Sequence, residues 1–207
     1  MKPVSCLAAL VISVASINLQ AAPHCGELEN DYGPYDYSDS NDRQKNLPIV
    51  ERFHFTPNVE NLVKGNTGPL GGELDYTLRA FPNHHRALAA LAKLGLRDKT
   101  PKPVGARYSV ECFFDRAIRF KPNDATVRMV YGTYLLKLGQ PDKAIDQLNV
   151  AVNLQPEDPT INYNLGLLYA QKKDYGQART YAKKAYELGF PLPGLKNKLM
   201  EAGKWED

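Results

Sequence analysis

Superposed on itself at a shift of 34 residues, the second half of the chain matches: Gly132 falls on Gly166, Ala144 on Ala178, Leu148 on Ala182 and Ala151 on Ala185. Small residues at a fixed long period are what antiparallel helices need where their axes come close, because a side chain larger than methyl pushes the axes apart. One such hairpin cannot bury its apolar face alone, so like units must stack along an axis. These small residues are packing positions and carry no chemistry.

The punctuation between them agrees. Gly139 breaks between helices, Pro156 and Pro159 keep one unit from running into the next, and Asp142 and Asp174 are expected to cap second helices. One unit carries Leu165-Gly166 and Tyr169 in its first helix and Ala178 in its second, with Asn162 where the pattern's Trp would stand. The unit before it has Tyr131-Gly132 and Leu135, then Ala144, Leu148, Ala151 and a closing Pro156. These residues resemble the tetratricopeptide repeat, whose pattern is Trp-x-x-Leu-Gly-x-x-Tyr, then Ala-x-x-x-Phe, then Pro.

The resemblance implies an all-α fold, a solenoid of TPR-like helical hairpins. Repeats are expected over about 83–122, 125–158 and 159–190, with a capping helix over 192–202 to shield the last apolar face. The first repeat is divergent. Its first helix would run from Asn83, as N-cap, to Leu96, and its second from Arg107 to Phe120, separated by a linker too long for an ordinary turn. The segment from His24 to Gly72 has no helical period, and 22–82 reads as an irregular extension packing on the solenoid, with Phe53, Phe55, Leu62 and Val63 in short extended pieces and Gly71-Gly72 in a tight turn.

Lys2, the apolar run Val4 to Ile17 and the small residues Ala21 and Ala22 have the form of a secretory signal peptide over 1–21. The run is interrupted by Ser13 and Ser16 and falls short of the roughly 20 apolar residues a span needs. No membrane span is expected in the mature chain; the alternative is an uncleaved N-terminal anchor. Export leaves Cys25 and Cys112 as the only cysteines, and an oxidising compartment favours a disulfide between them over two free thiols. Resemblance to exported repeat proteins implies the periplasm of a Gram-negative bacterium.

A net charge of +3 argues against a nucleic-acid binder. The charge is unevenly spread: Glu27, Glu29, Asp31, Asp36, Asp39 and Asp42 crowd the head, and Lys172, Lys173, Arg179, Lys183 and Lys184 the tail. Adjacent His84 and His85 point about 100° apart on a helix and cannot easily face one ion. There is no Gly-x-Ser-x-Gly, Walker loop or haem-attachment motif. No catalytic residue, metal ligand or cofactor is therefore expected. The alternative is a metal-binding or thiol-redox enzyme that gathers His and Cys residues of the N-terminal half. The resemblance points instead to a periplasmic adaptor or assembly factor holding another protein or peptide in the concave groove. The family's groove positions fall on Met129, Thr133, Tyr163, Asn164 and Leu167, which suit an apolar or aromatic segment.

Overall fold

The computed structural model describes residues 25–205; the expected leader and His24 lie outside them. Eleven helices and no strand occur among the described residues: α1 Ser40–Lys45, α2 Leu47–His54, α3 Pro57–Glu60, α4 Leu70–Ala80, α5 His85–Arg97, α6 Val110–Phe120, α7 Ala125–Lys137, α8 Pro141–Leu154, α9 Pro159–Gln171, α10 Tyr175–Glu187 and α11 Gly194–Glu201. The fold is the expected helical-hairpin solenoid. α7 packs on α8 and α9 on α10, while α5 leans on α7, so first helices line one side and second helices the other.

The glycines mark where helices touch. A Cβ at Gly132 would sit 2.7 Å from Leu148 Cγ and 3.2 Å from Ala144 O; one at Gly166 would sit 2.5 Å from Leu195 Cδ2 and 3.2 Å from Ala178 O. Ala144, Ala151, Ala178, Ala182 and Ala185 are all fully buried. First helices α7 and α9 end in the same left-handed turn, at Gly139 (φ +76°) and Lys173 (φ +62°). In each, the next residue's N–H closes onto the fifth carbonyl back, Gln140 to Leu135 and Asp174 to Tyr169. Asp174 caps α10 as expected, accepting from Gln177 N–H. Asp142 does not cap α8. Gln140 holds that position without a side-chain bond, because Pro141 starts the helix one residue earlier and puts Asp142 in the first turn.

The N-terminal half departs from the expected irregular extension. At a shift of 40, α4 and α5 superpose on α6 and α7 end to end, and Phe81-Pro82-Asn83-His84 falls on Lys121-Pro122-Asn123-Asp124. Leu74 and Thr77 occupy the buried places of Phe114 and Ala117. α4 is thus one more second helix, and α2 packs on it in the place of a first helix. The N-cap of α5 is His84, whose side chain accepts from Ala87 N–H, as Asp124 does from Val127 N–H in α7. Asn83, expected to cap, instead donates to Asp36 and Asp124 and accepts from Tyr37 N–H. α6 begins at Val110, capped by Ser109, not at Arg107.

Phe53 lies in α2 and Phe55 ends it, and Leu62 follows α3 in a left-handed turn (φ 57°), so the expected extended pieces do not form. Gly71 and Gly72 open α4. A Cβ at Gly71 would meet Val104 O at 2.4 Å, and one at Gly105 would meet Gly72 N at 2.8 Å. These glycines serve close approach of two backbones, not a tight turn.

The first described residues form a strap over the second-helix side. Cys25 and Cys112 are disulfide-bonded with Cα atoms 5.1 Å apart. Arg116, 1 % exposed, donates to the Cys25 and Glu27 carbonyls, and Arg119 to that of Gly26. Farther along, Tyr35 N–H bonds Ala80 O at 2.8 Å and Lys121 pairs with Asp36. Tyr32 and Tyr35 pack with Phe81 and Val50.

Candidate functional site

The first helices α5 and α7 diverge enough to leave an apolar groove of about 210 Å³ on their shared face. Ala89, Ala92 and Leu96 come from α5, and Met129, Val130 and Thr133 from α7. The opposite stripe of α5, with Leu88, Leu91 and Leu94, is spent on the core, which leaves Ala89 and Lys93 to face outward. Small alanines on one wall and a flexible methionine on the other leave room for a side chain from outside. Thr133 spends its hydroxyl on Met129 O at 3.0 Å, so its methyl adds to the apolar character. Lys93 and Lys137, both exposed, border the groove and form no ion pair among the described residues.

At its far end the groove meets a second hollow of about 420 Å³, the two sharing Leu96 and Tyr134. The connection between α5 and α6 forms this hollow's rim through Lys99, Thr100 and Pro101. Gln140 lies on its other side with a buried Oε1 that has no partner among the described residues. Burial and the nearby Glu111 carboxylate push the Tyr134 phenol up, so it stays protonated at the junction.

Of the five expected groove residues, Met129 and Thr133 line this groove. Tyr163 and Leu167 lie half-buried against the C-terminal cap: the Tyr163 ring stacks on Phe190 at 3.9 Å and meets Tyr186 edge-on at 6.4 Å, in the cluster of Leu195 and Leu199. Asn164 is half-buried on α9. The α5 wall was missed at the sequence level. A shift of 40 would have found it, since it places Ala89 on Met129 and Lys93 on Thr133. The acidic, tyrosine-rich strap contributes no residue to the groove lining and lies against α4, α6 and their connections.

The histidines go separate ways. His84, fully buried, reaches Glu51 at 3.3 Å; burial pushes its imidazole below the ordinary range, against the pull of the Glu51 hydrogen bond. His85 reaches Asp124 at 2.9 Å. For Asp124, burial raises the carboxyl, but the His85 bond and charge and the Val127 and Asn83 bonds outweigh it and hold it below the usual carboxylate range. His54 bonds Glu73, and Cys25 and Cys112 are consumed in the disulfide. Among the described residues no three His, Cys, Asp or Glu side chains are placed to hold a metal ion. No described helix is long and apolar enough to cross a membrane.

Two family models match the chain, one described as TPR repeat over residues 132–173 and one as tetratricopeptide repeat over 159–188. Among solved structures the chain is similar to PilF of Pseudomonas aeruginosa, at 22 % identity over 79 % of this chain and 70 % of that one, with a TM-score of 0.55. It is also similar to MamA of strain MSR-1, at 20 % identity over 69 % and 74 %, with a TM-score of 0.45. The first likeness bears on the fold alone. No curated protein matches the sequence.

Proposed function

This chain is a tetratricopeptide-repeat protein, and from that premise we propose that it holds a segment of another polypeptide in the groove between α5 and α7, as an exported adaptor or assembly factor. Such repeats are in general non-enzymatic scaffolds for protein interaction, and protein partners follow from them. The observation that carries the site is the apolar groove itself, walled by Ala89 and Ala92 on one side and Met129 on the other. It suits one or two apolar side chains of an extended segment or helix. Export and a periplasmic address are supported by the leader-like N-terminus and by a disulfide of the kind oxidising compartments maintain.

A photocrosslinking amino acid placed at Met129 tests the reading in cells. A discrete adduct is expected there, and none from the same amino acid at Val150, which is exposed on α8 on the other side of the solenoid. Ala89→Glu should remove the adduct by placing a charge in the groove while leaving the helical circular-dichroism signal unchanged. Equal adducts at both positions, or one at Val150 alone, would place the partner elsewhere.

A further inference from the structure

The two ends of the solenoid are finished differently. At the C-terminal end α11 buries Leu195 and Leu199 against the last hairpin. At the other end Ile49 and Phe53, one turn apart on α2, are 52 % and 45 % exposed. A terminal repeat ordinarily turns a polar face outward, and paired large apolar side chains on an outer helix mark a contact surface.

Beside them lies a cavity of about 200 Å³ walled by Tyr32, Val50, His54 and Tyr76. His54 is held in place from behind. Glu73, 2 % exposed, accepts from the backbone N–H groups of Asn66, Thr67 and Gly68 and from the Thr67 hydroxyl through Oε1, and meets His54 Nδ1 at 2.8 Å through Oε2. Burial raises this carboxyl, but the bonds from Thr67, His54 and Gly68 outweigh it and keep it ionised. The carboxylate accepts, so Nδ1 donates, and in the tautomer with its proton on Nδ1 the Nε2 is an acceptor that has no partner among the described residues. The ring lies flat on Tyr76 at 3.9 Å, which fixes the direction of Nε2. Two carboxylates, Glu29 and Asp31, immediately precede the lining residue Tyr32, and Arg79, which lies over the Tyr76 ring at 5.6 Å, is paired with Asp75. Glu29 and Asp31, just before Tyr32, are exposed and make no ion pair among the described residues, while Arg52 sits over the Phe53 ring at 5.3 Å.

We infer that this end of the solenoid docks a protein segment presenting a tryptophan or tyrosine flanked by basic residues. The aromatic ring enters between Phe53 and Tyr76, its N–H or O–H donates to His54 Nε2, and the flanking cations meet the acidic strap. A cavity of this size takes an indole or a phenol, and aromatic anchors with one polar tip are the residues that dominate protein contacts. The exposed carboxylates of Glu29 and Asp31 beside Tyr32 select a basic segment over an acidic one. This surface is separate from the α5/α7 groove and does not depend on it.

Three blocked tripeptides, Lys-Trp-Lys, Glu-Trp-Glu and Lys-Leu-Lys, titrated into the full chain with isotope-labelled isoleucine and histidine, test both halves of the inference. Lys-Trp-Lys should shift the Ile49 methyl and His54 ring signals, and bind at least about tenfold more tightly than either of the others at low salt. Phe53→Ser, a change at an exposed position, should abolish those shifts and leave the melting temperature unchanged. Equal affinity for the three peptides, or shifts centred on Met129, would overturn the assignment. So would a concentration-dependent dimer that Phe53→Ser dissolves, because the occupant would then be a second copy of this chain.

Discussion

Gly132 and Gly166 occupy equivalent places in successive units, yet replacing each by alanine should have different consequences. Alanine in a helix interior is favoured over glycine by about 1 kcal/mol. Against that gain stands the contact the new methyl makes. At Gly132 it would lie 2.7 Å from Leu148 Cγ, the branch point of a side chain only 1 % exposed, so relief requires α8 to shift. Overpacking of this kind costs about 1–3 kcal/mol, and the net is a loss of about 0–2 kcal/mol. At Gly166 the nearest atom is Leu195 Cδ2 at 2.5 Å, the end of a side chain on the short terminal helix, which can turn aside. The remaining contact, 3.2 Å to Ala178 O, matches the 3.2 Å to Ala144 O at Gly132, so it does not separate the two sites. Gly166→Ala should therefore come out near neutral. The two variants should differ by about 1 kcal/mol, or about 2–4 °C in melting temperature for a chain of this size. Leu148→Ala supplies the control: alone it costs about 2–5 kcal/mol, and in the Gly132→Ala background it should cost about 1 kcal/mol less because the methyl then has room. A Gly132→Ala protein as stable as Gly166→Ala, with additive effects of Leu148→Ala, would refute the contact.

Lys173→Gly should raise stability by about 0.5–1 kcal/mol in urea unfolding, since Lys173 holds a left-handed conformation (φ +62°) that glycine adopts without penalty. Replacing Cys25 and Cys112 together by serine should cost about 4–5 kcal/mol in the chain-entropy account of a link across 87 residues, read as a lowered denaturation midpoint. Stability should fall in two steps on acidification. The first begins as pH drops through about 6.5, where the unfolded chain takes up a proton that buried His84 resists; the second begins below about 4, where carboxylates held low in the fold, Glu73 and Asp124 among them, are protonated in the unfolded chain first. His84→Asn keeps a side chain that can cap α5 and should erase the first step only, as followed by thermal melts across pH. Tyr163→Ala should lower the melting temperature by loosening the Phe190 stack and the cap while sparing the crosslink at position 129.

The second half of the fold was legible because its information is local and periodic. Gly132, Gly166 and the buried alanines recur at one interval, and Asp174 and Gly139 sit where helix ends need them. The N-terminal helices were hidden by two features. α6 begins 25 residues after α5, where α8 and α10 begin 16 residues after their partners, so a shift of 34 misses the match between α4 and α6. The buried face of α4 also includes Glu73, Asp75 and Thr77, which look like a turn until their partners are known. Those partners, the Asn66 to Gly68 amides and Arg79 and Arg107, are set by tertiary contact. For the groove, Met129 and Thr133 were readable from the repeat, whereas the shielding of Tyr163 by Phe190 depends on how the tail folds back.

The strap also sets an order of events. Neighbouring helices of the solenoid find one another within a few tens of residues, and short loops close readily. The disulfide from Cys25 to Cys112 and the bond from Arg116 to the Glu27 carbonyl close only when those partners exist, 87 or more residues later in the chain. In a chain made from its N-terminus, the start of the strap therefore waits for α6 before these bonds can form. During that interval the Cys25 end of the strap is accessible. An early wrong partner for Cys25 would be most damaging then, and a chaperone or thiol catalyst that guards the emerging head would act in that window.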